Sequence, residues 1–313
     1  MYEENVIYII GNGFDKHHRL NTGYDNYKSF LKSIDPLLVE RFDYYLSLKC
    51  IQSEDINKWS ELEVYLGYIT DFDYDDIIDE AFSSSEIDIE RASYWHDPEY
   101  NVAEISKDLI NIMNGIKSYF PDWIYSIEQD IVNKVADVNL IFPPNSLFLS
   151  FNYTLTLEKL YMIPSKRILH IHGKFDEEYI LGHNNSKDVP FLHPENIQMD
   201  NRGDVVYGDD FRIVKVKEKI NAIYENLYEC YYKNSEQLID NYSDFFKQFE
   251  YADKIIFMGF SMGPVDLKYI EEIAKRIKQY CNIEIYFHEN ISDEIIYVCQ
   301  TYFNKNNITF IEW

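Results

Sequence analysis

Two hydrophobic rhythms divide the chain. In one, four to six mostly apolar residues run on together, rich in β-branched and aromatic types. These are VIYII at 6–10, SLFLSF at 146–151, KIIFM at 254–258, and the runs at 283–287 and 308–311. Such runs fit strands buried on both faces, as in a parallel sheet. Two more short candidates lie at 167–171 and 179–181. In the other rhythm, apolar residues recur every three or four positions, the spacing of one helix face. Tyr27, Phe30, Leu31 and Ile34 follow it, and Leu38, Phe42 and Tyr45 resume it beyond Pro36. It returns at 59–66, over 105–135 with a break near Pro121, over 215–249 and over 266–280.

The order of these segments predicts an α/β fold with an open, largely parallel, doubly wound sheet of Rossmann type. No strong strand signal falls between 24 and 139, so these residues read as a large helical insertion after the first strand unit. The core is then 1–23 plus 140–313, with a polar loop at 183–210 and a helix at 215–249 set into it. The acidic run at 71–79 reads as a solvated face or loop and not as a metal site, because it lacks the loop glycine of a calcium site.

Charge narrows the function. The 54 acidic residues outnumber 29 basic ones, a formal net charge of −25. That opposes phosphate-driven binding to nucleic acid and adhesion to anionic membrane. The cysteines at 50, 230, 281 and 299 are far apart without a CxxC pair, which fits reduced thiols and excludes a zinc ribbon. No apolar run reaches membrane-spanning length and no signal-peptide pattern opens the chain, so the expected location is the cytoplasm.

Chemistry gathers where strands end. Four strand ends run into polar or glycine-rich residues: Gly11-Asn12-Gly13-Phe14-Asp15, Phe151-Asn152-Tyr153-Thr154, His170-Ile171-His172-Gly173 and Gly259-Phe260-Ser261-Met262-Gly263. In a parallel sheet these ends share one edge, where open α/β folds bind ligands. GNGFD matches neither the dinucleotide fingerprint nor the Walker loop. Alone it reads equally as a tight turn.

As an ordered set, IIGNGFDKHHRLNTGY, WSELE, FNYTLTLE, HIHGK, LGHN and GFSMGPVD span most of the chain and resemble the AbiH family of bacterial abortive-infection proteins. That family is similar in turn to the sirtuin-type NAD-binding fold, where a Gly-Ala-Gly loop, an Asn at a strand end, a His-Gly and a Gly-x-Ser occur in this order. Asn12 replaces the small middle residue of that loop, and the sirtuin zinc ribbon is missing, which argues against a protein deacylase. The resemblance implies phage defence by a homo-oligomer or by a chain with a regulatory partner. It also implies an adenine dinucleotide, NAD, as substrate or ligand, without a tightly held metal. Gly11, Asn12, Gly13, Phe14, Asp15, Thr154, Gly259, Ser261 and Asp266 would contact the nucleotide. Asn152 would hold ribose or water, and His172 would be the base that helps cleave the nicotinamide–ribose bond.

Plainer roles stand beside these. Asn152, Thr154 or Thr156 could cap the helix that follows, and Asp15 could cap its own. Glu158 would face the neighbours of its helix. His170 and His172, two apart on a strand, would point to one side. With His183 or Asp15 they could hold a metal, making a metal-dependent hydrolase or nuclease. His17 and His18 read as solvent-exposed. GFSMG also fits the GxSxG nucleophile elbow, with Asp266 and His288 as the residues that would follow Ser261. Trp59, Glu61 and Glu63 belong to the insertion, with the two acids on different helix faces. A non-catalytic nucleotide sensor would use the same glycine loop.

Overall fold

The computed structural model describes residues 4–49, 59–68, 74–83, 90–91, 96–185, 197–199, 205–207 and 211–313. Strands β1 (Val6–Ile10), β2 (Leu147–Ser150), β3 (Ile168–His170), β6 (Lys254–Met258), β7 (Asn282–Phe287) and β8 (Asn307–Glu312) form one sheet in the order β3-β2-β1-β6-β7-β8, and every pairing is parallel. Strands β4 (Ile197–Met199) and β5 (Val205–Tyr207) pair antiparallel by themselves, inside the stretch read as a polar loop.

The helices are α1 (Asn12–His17), α2 (Tyr24–Ile34), α3 (Pro36–Lys49), α4 (Leu62–Tyr68), α5 (Tyr74–Ser83), α6 (Asp97–Ser118), α7 (Phe120–Ile131), α8 (Thr156–Tyr161), α9 (Phe211–Tyr231), α10 (Ser235–Asn241), α11 (Ser243–Phe246), α12 (Leu267–Arg276) and α13 (Asp293–Tyr302). None is long and apolar enough, among the described residues, to cross a membrane.

The continuous apolar run of β1 has the cause expected of it. All five of its residues are buried, and they alternate between two cores. Ile7 and Ile9 join Leu149, Ile255, Phe257, Ile283 and the inner faces of α12 and α13. Val6, Tyr8 and Ile10 join Phe148, Ile256, Phe14 of α1 and Leu157 of α8. Helices therefore cover both sides, as in a doubly wound sheet. A third core gathers α2, α3, α4, α6 and α7 around Tyr27, Phe42, Trp59 and Trp123, and takes in Leu181, Leu227 and Tyr231 from beyond the insertion.

Three local readings change. Residues 179–181 form no strand. They run beside the β3 turn, where the Ile180 N–H donates to the His172 carbonyl at 2.9 Å. The helical pattern over 215–249 is several elements: α9 stops at Tyr231, and Asn234 restarts the chain by accepting the Gln237 N–H at 3.0 Å as the cap of α10. Residues 71–73 of the acidic run lie outside the described set, while Tyr74–Ser83 is helix.

Candidate functional site

The sheet order places a topological switch between β1 and β6, the usual ligand crevice of such folds. Here the protein's own backbone fills it. The Gly11 N–H donates to the Met258 carbonyl at 3.1 Å and the Gly13 N–H to the Gly259 carbonyl at 2.7 Å. A Cβ on Gly11 would lie 2.6 Å from Gly259 O, and one on Gly13 2.6 Å from Gly259 Cα. The glycines thus admit one another's loops. The residues present do not fit a pyrophosphate held between those two loops.

The other nucleotide candidates from the first two stations lock this junction. The Asn152 side-chain amide donates to the Gly11 carbonyl at 3.0 Å. Thr154 and Thr156 donate to the two oxygens of buried Asp15 at 2.6 and 2.7 Å. Neither threonine caps α8, and Asp15 lies within α1, not at its cap. Burial raises the Asp15 carboxyl to about 6, against the lowering effect of the threonine hydroxyls. A raised folded pKa means that the native state holds the proton longer than the unfolded chain. Stability contributed by this group is therefore full below about pH 4 and falls as pH rises to about 6, by up to about 3 kcal/mol. In urea titrations over that range, Asp15→Asn should be the flatter of the two proteins. A wild-type curve parallel to the variant's would contradict this. Ser261 is exposed, and Phe14 is buried in the core with α8.

The two histidines of HIHGK part company. Strand β3 ends at His170, so strand alternation does not extend to His172. His170 Nδ1 meets the Asn152 carbonyl at 2.9 Å and Nε2 meets Glu158 at 3.2 Å. His172 turns to the other side, packing against Phe151 with Nε2 at 3.2 Å from the Tyr269 hydroxyl. Asn152 bonds Gly11 and His170 while His172 bonds Tyr269, so the two share no hydrogen bond. Burial, and then Lys233, push the His172 imidazole well below its ordinary pKa, so it is neutral at pH 7. Two other histidines also correct the reading. His18 is buried, bonded to Phe14 O at 2.7 Å and the Tyr161 hydroxyl at 2.6 Å. His17 is half-buried, stacked on Trp313 at 4.0 Å and bonded to Asp137. His288 stacks on the same tryptophan at 5.0 Å. No group of three metal-ligating side chains occurs among the described residues.

What the fold does assemble is a buried charge cluster beside His172. Lys233, fully buried just past α9, places Nζ at 3.1 Å from both oxygens of Glu63 on α4. Asp266, in the turn before α12, has Oδ1 4.0 Å from the same nitrogen. The Tyr153 hydroxyl lies 3.0 Å from the Ile180 carbonyl and 3.3 Å from Glu63 Oε1, and its single proton serves one at a time. Tyr24 also bonds Glu63. Burial raises Asp266 to about 7, Glu63 adds to the rise, and Lys233 opposes it. Burial and Lys233 together lower His183 to about 4. Two buried atoms of this cluster lack a hydrogen-bond partner, Asp266 Oδ1 and His183 Nε2. The His183 Nδ1 accepts the Asn185 N–H at 3.2 Å, so its unbonded Nε2 carries the proton.

All six sequence motifs meet here: WSELE through Glu63, HIHGK through His172, LGHN through His183, GFSMGPVD through Asp266, FNYTLTLE through Tyr153 and IIGNGFDKHHRLNTGY through Tyr24. Lys233 was not singled out from the sequence. It is one of 29 basic residues, in a YYKNS stretch with no pattern of its own, and only its burial marks it. Trp59 is structural, donating its indole N–H to Asp43 at 2.6 Å, and Glu61 is exposed.

The family model described as bacteriophage abortive infection AbiH matches residues 7–287. No curated protein and no solved structure gives a significant match.

Proposed function

The chain belongs to the bacteriophage abortive infection AbiH family, and from that premise we propose that it is a phage-defence effector that hydrolyses the nicotinamide–ribose bond of NAD. The observation that carries this reading is the pair of carboxylates, Glu63 and Asp266, facing one sealed ammonium at the carboxyl edge of the sheet. Lys233 is 0% exposed, whereas the side chains of Glu63 and Asp266 keep 13% and 14% of their exposure. Of the three side chains, only the two acidic ones keep any contact with solvent.

The scissile bond joins an anomeric carbon to a pyridinium nitrogen and breaks through an oxocarbenium-like state. Its electron pair goes to the ring nitrogen, so neutral nicotinamide leaves without an acid. A carboxylate fixed in a low-dielectric site stabilises the positive charge that develops on the sugar. Water then adds to the anomeric carbon and gives its proton to a carboxylate. Asp266 Oδ1, buried and unbonded, is free to face that cation. Lys233 donates to both oxygens of Glu63 behind it. The nucleotide would lie over these carboxylates, since backbone already fills the crevice between Gly13 and Gly259.

Nicotinamide release should rise as pH increases through about 7, where Asp266 ionises, and level off above. Asp266→Asn should remove that limb, and Asp266→Asn and Glu63→Gln should each lower turnover by about 100-fold. The assay uses purified protein and, in parallel, extracts of phage-infected cells that carry it. Release unchanged by both substitutions would remove the cluster from the mechanism. No release from either source, with phage protection intact, would make the chain a sensor.

A further inference from the structure

A cavity of about 650 Å³ lies one aromatic layer from Glu63, between residues 117–125 and 175–181. We propose that it is a binding site for a small planar organic cation. Its aromatic lining is Phe120, Tyr125, Phe175 and Tyr179. Tyr125 and Phe175 lie 6.1 Å apart at a shallow tilt, while Phe120 and Tyr179 meet edge to face at 5.7 Å. Ring faces of this kind attract cations.

The charged lining has the matching sign. Asp122, Asp176, Glu177 and Glu178 line the same cavity, against a single basic residue, Lys117. That lysine is committed elsewhere: its Nζ donates to the Cys230 carbonyl at 2.8 Å and sits over the Tyr231 ring. The protein already uses one of these rings for a cation, because Lys159 Nζ lies 5.7 Å from the centre of Phe175. A planar guanidinium or pyridinium can stack on the rings while carboxylates take its charge. A neutral ring of the same size gains only the apolar contact.

The cavity also has a physical link to the charge cluster. Tyr153 packs on Phe120 at 5.0 Å and on Tyr179 at 5.8 Å, so it forms the layer behind both. Its hydroxyl proton is shared between Ile180, within the cavity's own wall segment, and Glu63. A cation that draws residues 179–181 toward itself would turn that proton to Glu63. Binding here does not depend on the hydrolase reading.

The test uses ligands that the proposed reaction cannot cleave: 1-methylpyridinium, N-acetylarginine amide, and neutral benzyl alcohol as control. Titration of the full chain by ligand-observed NMR should show saturable binding of at least one cation, at least tenfold tighter than the control. The two cations separate a small heterocycle from an arginine side chain as the source of the charge. Tyr125→Ala, at an exposed position, and Asp122→Asn should each weaken binding at least fivefold while leaving the thermal midpoint in place. Equal binding of the neutral control, no saturable binding of either cation, or affinity untouched by both substitutions would overturn the site.

Discussion

Lys233→Met should destabilise the protein by about 3–5 kcal/mol, the cost of leaving a buried charge without its partner. The ammonium is fully buried and bonded to both oxygens of Glu63, with Asp266 at 4.0 Å. Methionine matches its length but leaves the carboxylates facing one another in an apolar setting. The triple variant Glu63→Gln, Lys233→Met, Asp266→Asn should recover most of the loss, because a neutral set has no charge to strand. Urea unfolding at pH 7 measures both. The triple variant being as unstable as Lys233→Met would mean that the lysine stabilises through packing. The pair also separates stability from chemistry, since the triple variant should fold and still release no nicotinamide.

Gly259→Ala should be more damaging still, with a cost above about 4 kcal/mol that leaves little folded protein. Gly259 sits at φ +58°, where a side chain is strained. A Cβ there would lie 2.3 Å from Phe14 N and 2.4 Å from Gly13 C. Neither neighbour can yield, because Gly13 and Phe14 are held by backbone hydrogen bonds to Gly259 and Gly11 and Phe14 is buried in the core. Gly263→Ala is the internal control. Its Cβ would meet nothing nearer than the Ser261 hydroxyl oxygen at 3.6 Å. Alanine at 263 should therefore leave the urea midpoint within experimental error. If both variants unfold together with wild type, the two loops must be able to separate, and a ligand could then enter between them.

That alternative bears on how the glycine loop is read. A strand, two glycines and a helix start mark a place where something comes close to the backbone. They do not say what. In this fold the close object is the loop after β6, more than 240 residues away in the chain. The histidines of HIHGK show the same limit. Their spacing predicts one side of a strand, but the strand stops between them, and His172 turns toward Tyr269 of α12.

The sequence by itself determined the strands of the sheet, their parallel kind and the edge at which the polar stations gather. It could do so because burial on two faces imposes an unbroken apolar run, and a helix face imposes a period near 3.6, each visible within a dozen residues. The tertiary structure alone decided which polar residues meet. Glu63 and Lys233 are separated by 170 positions, and neither bears any local mark of the other. Lys233 resembles every other lysine until α4, α9 and the turn before α12 close around it and remove its water. Only then does an ordinary side chain become a buried charge that two carboxylates must answer.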